Sequence, residues 1–229
     1  MTDEELEQCP FCAGREDRTP PETLRIGEPW RVRVVPNLYP AFERQEVVIH
    51  SPDHVRSFAE LDDGQVALVA EAWTTRMNDV GGEVLALINE GRLAGASLPH
   101  SHSQLVWTAA APEAIEELPA LLEPHALARR GGVVAAVHPV GAGPYESLIA
   151  PESRDGELAD GLVLLRDLVR RLRAVEGARP WNAWLHAGPP WHVHVVPRLT
   201  ALASLELGAG IYVNVLPPDL AAERLRTAR

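Results

Sequence analysis

Four histidines stand in two His-x-His pairs, His100/His102 and His192/His194. Along a β-strand, residues two apart project from the same face, so each pair offers two imidazoles side by side. Imidazole is nucleophilic when neutral near pH 7, leaves readily once phosphorylated, and ligates transition metals. A single strand histidine is most often a hydrogen-bonded core or surface residue, which is the reading for His50, His125 and His138. Two pairs at matching places in a chain argue for chemistry. The only cysteines form Cys9-Pro10-Phe11-Cys12. A redox pair of this spacing belongs after a strand and at a helix start, whereas this one precedes every predicted element. Two such thiolates can fill two corners of a tetrahedral zinc site, leaving two corners to other residues. The plain alternative is a pair of free thiols near the chain start.

The elements that must hold these groups follow from periodicity. Arg31–Val35 and Glu46–His50 read as strands, Val66 to Met77 as a helix capped by Asp62-Asp63 and stopped by Gly81-Gly82, then Val84–Ile88 and Ser103–Thr108 as strands. The second half runs in the same order. Val133–Val137 and Ser147–Ala150 are strands, Leu158 to Val175 is a helix with Leu162, Leu165, Leu168 and Leu172 on one face, and Trp181–Leu185 and His192–Val196 are strands. Leu207–Gly210 reads as a loop, Ile211–Val215 as a further strand, and Asp219–Arg226 as a helix opened by Pro217-Pro218. Pro99-His100-Ser101-His102 aligns with Pro190-Trp191-His192-Val193-His194, and Val48-Ile49-His50-Ser51-Pro52 with Leu148-Ile149-Ala150-Pro151. The chain therefore reads as two copies of a strand–strand–helix–strand–strand unit of about 90 residues.

Composition narrows the chemistry. There is no lysine among the 21 basic residues, which excludes Schiff-base catalysis and a lysine-bearing phosphate loop. With 32 acidic residues the net charge is −11, against a nucleic-acid groove or a polybasic membrane surface as the main partner. The acidic start is unlike a signal peptide, and no apolar run has the length of a membrane span, so a cytoplasmic protein is expected.

Cys9-Pro-Phe-Cys12, Val-Val-Pro-Asn37-Leu-Tyr-Pro, Ser-Pro-Asp-His54, the run from Asn89 through Gly95, Ser97, His100 and His102 to Gln104, and Trp-His192-Val-His194 come in the order that resembles the galactose-1-phosphate uridylyltransferases. These are the nucleotidyl-transferring branch of the histidine-triad superfamily, and the resemblance runs from Cys9 to Arg226. It implies an α+β fold of duplicated histidine-triad-like units, mainly antiparallel sheet with flanking helices, divided as residues 1–112 and 113–229. It implies zinc on Cys9, Cys12, His54 and His100, and a second ion, iron or zinc, on His186, His192 and His194 with a carboxylate from Glu116 or Glu117, of which Glu117 is taken. It implies His102 as nucleophile, Asn37 and Asn89 against the nucleoside, and Gly95, Ser97 and Gln104 against its phosphates. A homodimer acting on a nucleoside diphosphate sugar and a sugar 1-phosphate is the expected assembly and substrate pair.

Gln104 separates branches of the superfamily. Hydrolytic members carry a third histidine there, whereas an amide donates hydrogen bonds but has no proton to exchange near neutrality. The covalent intermediate should then await a phosphate-bearing acceptor, which favours nucleotidyl transfer over hydrolysis. The small residues of Gly91–Pro99 would let backbone amides approach an anion. Two features depart from the uridylyltransferases: an arginine-bearing segment ahead of the cysteines is absent, with Arg92 as a candidate substitute, and Gly210 is followed by Ile211-Tyr212 instead of Tyr-Glu. Parts of the His100 and Gly210 segments are closer to ADP-glucose phosphorylases. Adenylyl transfer to phosphate, from ADP-glucose or a dinucleoside polyphosphate, is the alternative reading, and a zinc-stabilised nucleotide-binding protein of little activity is the alternative outside enzymes.

Overall fold

A computed structural model describes residues 2–108, 121–153, 156–188 and 190–228. In chain order it contains α1 (Asp3–Gln8), β1 (Leu24–Ile26), β2 (Val32–Pro36), β3 (Gln45–Ile49), α2 (Asp63–Val80), β4 (Glu83–Glu90), β5 (His102–Thr108), β6 (Ala126–Arg130), β7 (Val133–Val137), β8 (Ser147–Pro151), α3 (Leu158–Glu176), β9 (Trp181–His186), β10 (His192–Pro197), α4 (Ser204–Ala209) and α5 (Pro218–Thr227). The strands form one antiparallel sheet in the order β1-β2-β3-β5-β4-β9-β10-β8-β7-β6. The two series β2-β3-α2-β4-β5 and β7-β8-α3-β9-β10 occupy opposite halves and join through β4 and β9, where Leu87 faces Trp184 and Asn89 faces Asn182.

Strand alternation decides what each face carries. Val34, Val48, Leu105, Ala86, Ile88, Ala183, Leu185, Val193, Ile149 and Ala135 point to one face and form the main core beneath α2 and α3. α2 begins where the Asp62 carboxylate accepts from the Gln65 N–H and ends at Gly81 with φ 66°. It buries Val66, Val69, Ala70 and Trp73, while α3 buries Leu162, Leu165, Leu168 and Leu172, the leucine face that its spacing predicts. The opposite face carries polar and ring-bearing residues on its central strands: His102 and Gln104 on β5, Asn89 on β4, Asn182, Trp184 and His186 on β9, and His192 and His194 on β10. No helix among the described residues is long and apolar enough to cross a membrane.

Three local expectations change. Ile211–Val215 is not a strand but a largely exposed irregular segment, because its apolar residues meet no sheet edge among the described residues. Residues 204–209, read as running into a loop, form α4. Strands β1 and β6, too short and too mixed to show a period, are added at the two sheet edges.

Candidate active site and metal centre

The start of β5 is the focus of the first half. His102 opens the strand and is almost wholly buried, and its Nδ1–H donates to the His100 carbonyl at 2.7 Å. That bond fixes the tautomer and leaves the Nε2 lone pair as the free nucleophilic position. Burial lowers the His102 pKa, only partly offset by this hydrogen bond, so the ring is neutral near pH 7. Phe11 packs edge-on against His102 and His100, with centroids at 5.4 and 5.9 Å, tying the Cys-Pro-Phe-Cys segment to the start of β5. Gln104 is two residues along the same face. Its carbonyl oxygen accepts from the Gln45 amide of β3, which turns its own NH2 outward as a donor.

Behind His102 lies a residue that sequence reading set aside as an ordinary core histidine. His50 is fully buried, with Nδ1 3.0 Å from the Ser101 hydroxyl and Nε2 2.9 Å from the Ser103 hydroxyl, the two serines that flank His102. Trp73 of α2 donates its indole N–H to Ser103 at 2.8 Å, and Gln65 donates to the His50 carbonyl at 2.6 Å. His102 is thus carried on a strand start clamped from the helix side. No local pattern announces this, since His50 becomes meaningful only once β3 lies beside β5.

Cys9, Cys12, His54 and His100 converge, their ligand atoms all within 4.8 Å of one another. The measured edges are 3.4 Å from Cys9 Sγ to His100 Nδ1, 3.3 Å from Cys12 Sγ to His54 Nδ1 and 3.7 Å from Cys12 Sγ to His100 Nδ1. A tetrahedral zinc with ordinary Zn–S and Zn–N bonds sets a sulfur–nitrogen edge of about 3.6 Å, so the set fits that ion. The outward nitrogens are held as well: His54 Nε2 is 3.0 Å from Glu5 Oε1, and His100 Nε2 is 3.0 Å from the Ser51 carbonyl. Those acceptors keep the proton on Nε2 and turn the Nδ1 lone pairs inward. Burial, with the neighbouring Cys9 thiol, pushes the Cys12 thiol up to about 11, and burial pushes His100 down to about 4. A cation among these groups reverses the first effect by taking the thiolate.

The residues expected to contact the nucleotide are placed unevenly. Asn89 stands one strand from His102 on the open face, its Oδ1 accepting from Asn182 at 2.7 Å, and Asn182 also donates to the Ala94 carbonyl at 2.8 Å. Asn182, absent from the sequence reading, therefore ties Asn89 to the 91–99 loop. Gly95 adopts φ 93°, and Ser97 is exposed on that loop. The loop's amides do not all point outward, since the N–H groups of Ala94, Gly95 and Ala96 donate to the Gly91 and Arg92 carbonyls. Asn37 lies at the end of β2 and spends its Oδ1 on the Tyr39 N–H at 2.9 Å.

The second His-x-His pair sits on the same face, opposite Trp184 and three strand spacings from β5, which is about 14 Å. His186, His192 and His194 have their ligand atoms within 4.8 Å of one another, and so do His138, Glu146 and His194. Trp184 stacks on His194 with centroids 4.9 Å apart and planes 7° from parallel. Both His194 nitrogens are buried without a hydrogen-bond partner, and Glu146 Oε1 stands 3.8 Å from Nδ1. His186 Nδ1 and His192 Nε2 are 2.8 Å apart, a hydrogen-bond distance, so a tetrahedral ion of zinc size requires these rings to part by about 0.5 Å. Glu116 and Glu117 lie outside the described residues. The carboxylate found here is Glu146, and His138, read as an isolated core residue, belongs to this cluster.

The model of the galactose-1-phosphate uridyl transferase N-terminal domain matches residues 39–112. An ADP-glucose phosphorylase from Arabidopsis thaliana is 25% identical over a 280-residue alignment, covering 93% of this chain and 80% of that protein. A galactose-1-phosphate uridylyltransferase from Streptomyces lividans is 33% identical over 107 residues, covering 43% of this chain and 29% of the other. The crystal structure of an Arabidopsis thaliana ADP-glucose phosphorylase with bound ADP-glucose superposes with a TM-score of 0.86 at 24% identity, over 96% of this chain and 91% of that one. Fold and relatives together define a nucleotidyltransferase built on the histidine-triad architecture. Within that class the chain is similar to the galactose-1-phosphate uridylyltransferases over residues 39–112 and to an ADP-glucose phosphorylase over most of its length.

Proposed function

We propose that this chain moves a nucleoside monophosphate from a nucleoside diphosphate hexose to a phosphate-bearing acceptor by double displacement at His102. The Nε2 lone pair attacks the α-phosphorus, the bond to the β-phosphate oxygen breaks, and sugar 1-phosphate leaves with that electron pair. An oxygen of the acceptor phosphate then attacks the same phosphorus and the P–N bond breaks, returning the pair to Nε2. The observation that carries this reading is the His102 ring held by its Nδ1–H on the His100 carbonyl, which leaves the Nε2 lone pair free, and burial, by lowering the His102 pKa, favours that neutral form. Gln104, oriented by Gln45, is assigned to hold a phosphoryl oxygen without offering a proton to water. Asn89, Gly95 and Ser97 are assigned to the donor's nucleoside and phosphates, and Asn37 to the nucleoside.

Zinc is the ion we assign to Cys9, Cys12, His54 and His100, on the fit of their edges to a tetrahedron. With all four positions taken by protein it supplies a structural cross-link that pins the chain start beside His102. A second ion, iron or zinc, is assigned to His186, His192 and His194, with Glu146 as the carboxylate. The unpartnered nitrogens of buried His194 support that assignment. Two adjacent thiols suit a reducing, cytoplasmic compartment. A homodimer is in keeping with the exposed Leu205, Leu207, Ile211, Val213 and Val215, an apolar run too dense for open solvent.

Uridylyl and adenylyl transfer share every step above. The matched uridyl transferase domain favours the first, with UMP passing to hexose 1-phosphate. The similarity across 93% of the chain to an ADP-glucose phosphorylase favours the second, with AMP passing to phosphate. Intact mass after incubation with UDP-glucose or ADP-glucose, with His102→Ala as control, decides both questions. An adduct formed with one donor and lost in the control establishes the route and names the base. No adduct with either donor, in protein shown to hold its metal, refutes transfer and leaves a nucleotide-binding protein.

A further inference from the structure

The chain carries a net charge of −11, yet one cavity of about 450 Å³ is walled by four arginines, Arg56, Arg92, Arg173 and Arg179, with Ser57 and Ser97 between them. It lies where the 91–99 loop meets the connection from α3 to β9, and Gly91, at φ 87°, turns the chain there in close contact with Pro180. A small crevice of about 10 Å³ adjoins it, shares Arg56, Gly91, Ala96, Leu98 and Pro99 with it, and reaches His102.

The charge in the cavity is not balanced by its walls. Its one carboxylate, Glu90, accepts from the Ser57 hydroxyl at 2.7 Å and the Phe58 N–H at 2.8 Å, and is spent on those donors. Burial also raises the Glu90 pKa, weakening it as a counter-charge. Arg56 pairs with Glu5 at 3.1 Å from outside the cavity, and Arg173 stands 3.9 Å from Glu60. Among the described residues the Arg179 guanidinium donates only to the Glu176 backbone carbonyl, and the Arg92 side chain has no hydrogen bond or ion pair. Guanidinium groups prefer planar, paired recognition of phosphate oxygens, and several facing one space favour a dianion. The volume exceeds that of a bare phosphate and suits a phosphate carrying a sugar-sized group.

We infer that this cleft is a binding site for a phosphate dianion, free or esterified to a small sugar, held by Arg92 and Arg179 and flanked by Arg56 and Arg173. It deepens the nucleotidyl-transfer reading, because an acceptor phosphate seated there shares the 96–99 wall with His102. The same chemistry also fits a phosphorylated effector that acts by holding that wall.

Binding is tested directly with orthophosphate and with glucose 1-phosphate by calorimetry on the metal-loaded protein, comparing wild type, Arg92→Gln, Arg179→Gln and the double variant. Arg129→Gln, on the far edge strand, controls for net charge. Each cleft substitution should weaken binding about tenfold or more while the control changes it less than about twofold. Equal affinity in wild type and double variant, or no binding in wild type, overturns the site. A second measurement separates the two sources: the isolated nucleotidyl adduct is discharged by each phosphate compound. A discharge constant that rises with the binding constant in the double variant identifies the acceptor seat. Weakened binding with discharge unchanged identifies an effector site. Because calorimetry needs no adduct, failure of the transfer reading and failure of the cleft are told apart.

Discussion

The His50 clamp yields the most quantitative expectation. Replacing His50 by alanine removes the partner of the Ser101 hydroxyl, and a buried hydroxyl left unpaired costs about 1–3 kcal/mol. Ser103 keeps the Trp73 N–H and loses one bond, about 1 kcal/mol. The missing ring leaves a cavity against Phe58, whose ring centroid is 5.3 Å from that of His50, worth about 2 kcal/mol more. The total is about 5 kcal/mol, a fall in Tm of roughly 10–20 °C for a chain of this size. The effect has a pH signature. Burial, aided by the neighbouring His102 and His100 rings, holds the folded His50 pKa well below its ordinary value. The unfolded chain binds a proton near pH 6.5 that the folded chain refuses, so the stability is full above that pH and is lost as pH falls, by about 1.4 kcal/mol per unit. The gap between wild type and His50→Ala should therefore narrow below pH 6.5. Calorimetric melts between pH 5 and 8, with the rate of adduct formation measured at 20 °C, check both parts. A loss under about 1 kcal/mol, or a gap that does not change with pH, refutes the clamp.

Other outcomes follow from the same site. Gln104→His places a titratable group beside the nucleotidyl-histidine, and the adduct's lifetime in acceptor-free buffer should shorten about 10²–10⁴-fold; an unchanged lifetime removes Gln104 from its assigned role. Cys12→Ser should lose an equivalent of bound zinc by elemental analysis and lower Tm by at least about 10 °C, whereas full zinc content with an unchanged melt contradicts the metal assignment. Asn182→Ala frees both Asn89 and the Ala94 carbonyl, so KM for the donor should rise about tenfold with Tm moving only a few degrees; an unchanged KM shows that the tie does not position Asn89.

Much of the architecture was open to local reading because its signals are local. The continuous apolar run from Val84 to Ile88, the leucine spacing from Leu162 to Leu172 and the capping Asp62 each depend on residues within a few positions. Two strand–helix–strand series in the same order then implied the duplicated fold. The failures share one cause. Ile211–Val215 has strand-like composition, and composition cannot say whether an edge waits to pair with it. Strand β1 has only three residues, and β6, Ala-Leu-Ala-Arg-Arg, has no β-branched or aromatic residue to mark it, so both are explained by the neighbouring edges that template them.

Sequence alone determined the chemistry on offer: two His-x-His pairs on strand faces, a thiol pair at metal spacing, an amide two residues past His102, and no lysine to compete for the nucleophile's part. Tertiary structure decided which of these groups meet. Cys9 touches His100 across 91 positions, and Asn182 reaches Asn89 across 93, because β3, β5, β4 and β9 lie side by side. Glu146 and His138 join His194 through the pairing of β7, β8 and β10 within the second half, and Arg173 and Arg179 face Arg92 only through packing of the second half on the first. Periodicity orients a side chain relative to its own strand, but a binding site is made of distances between strands, and those are set by the sheet as a whole.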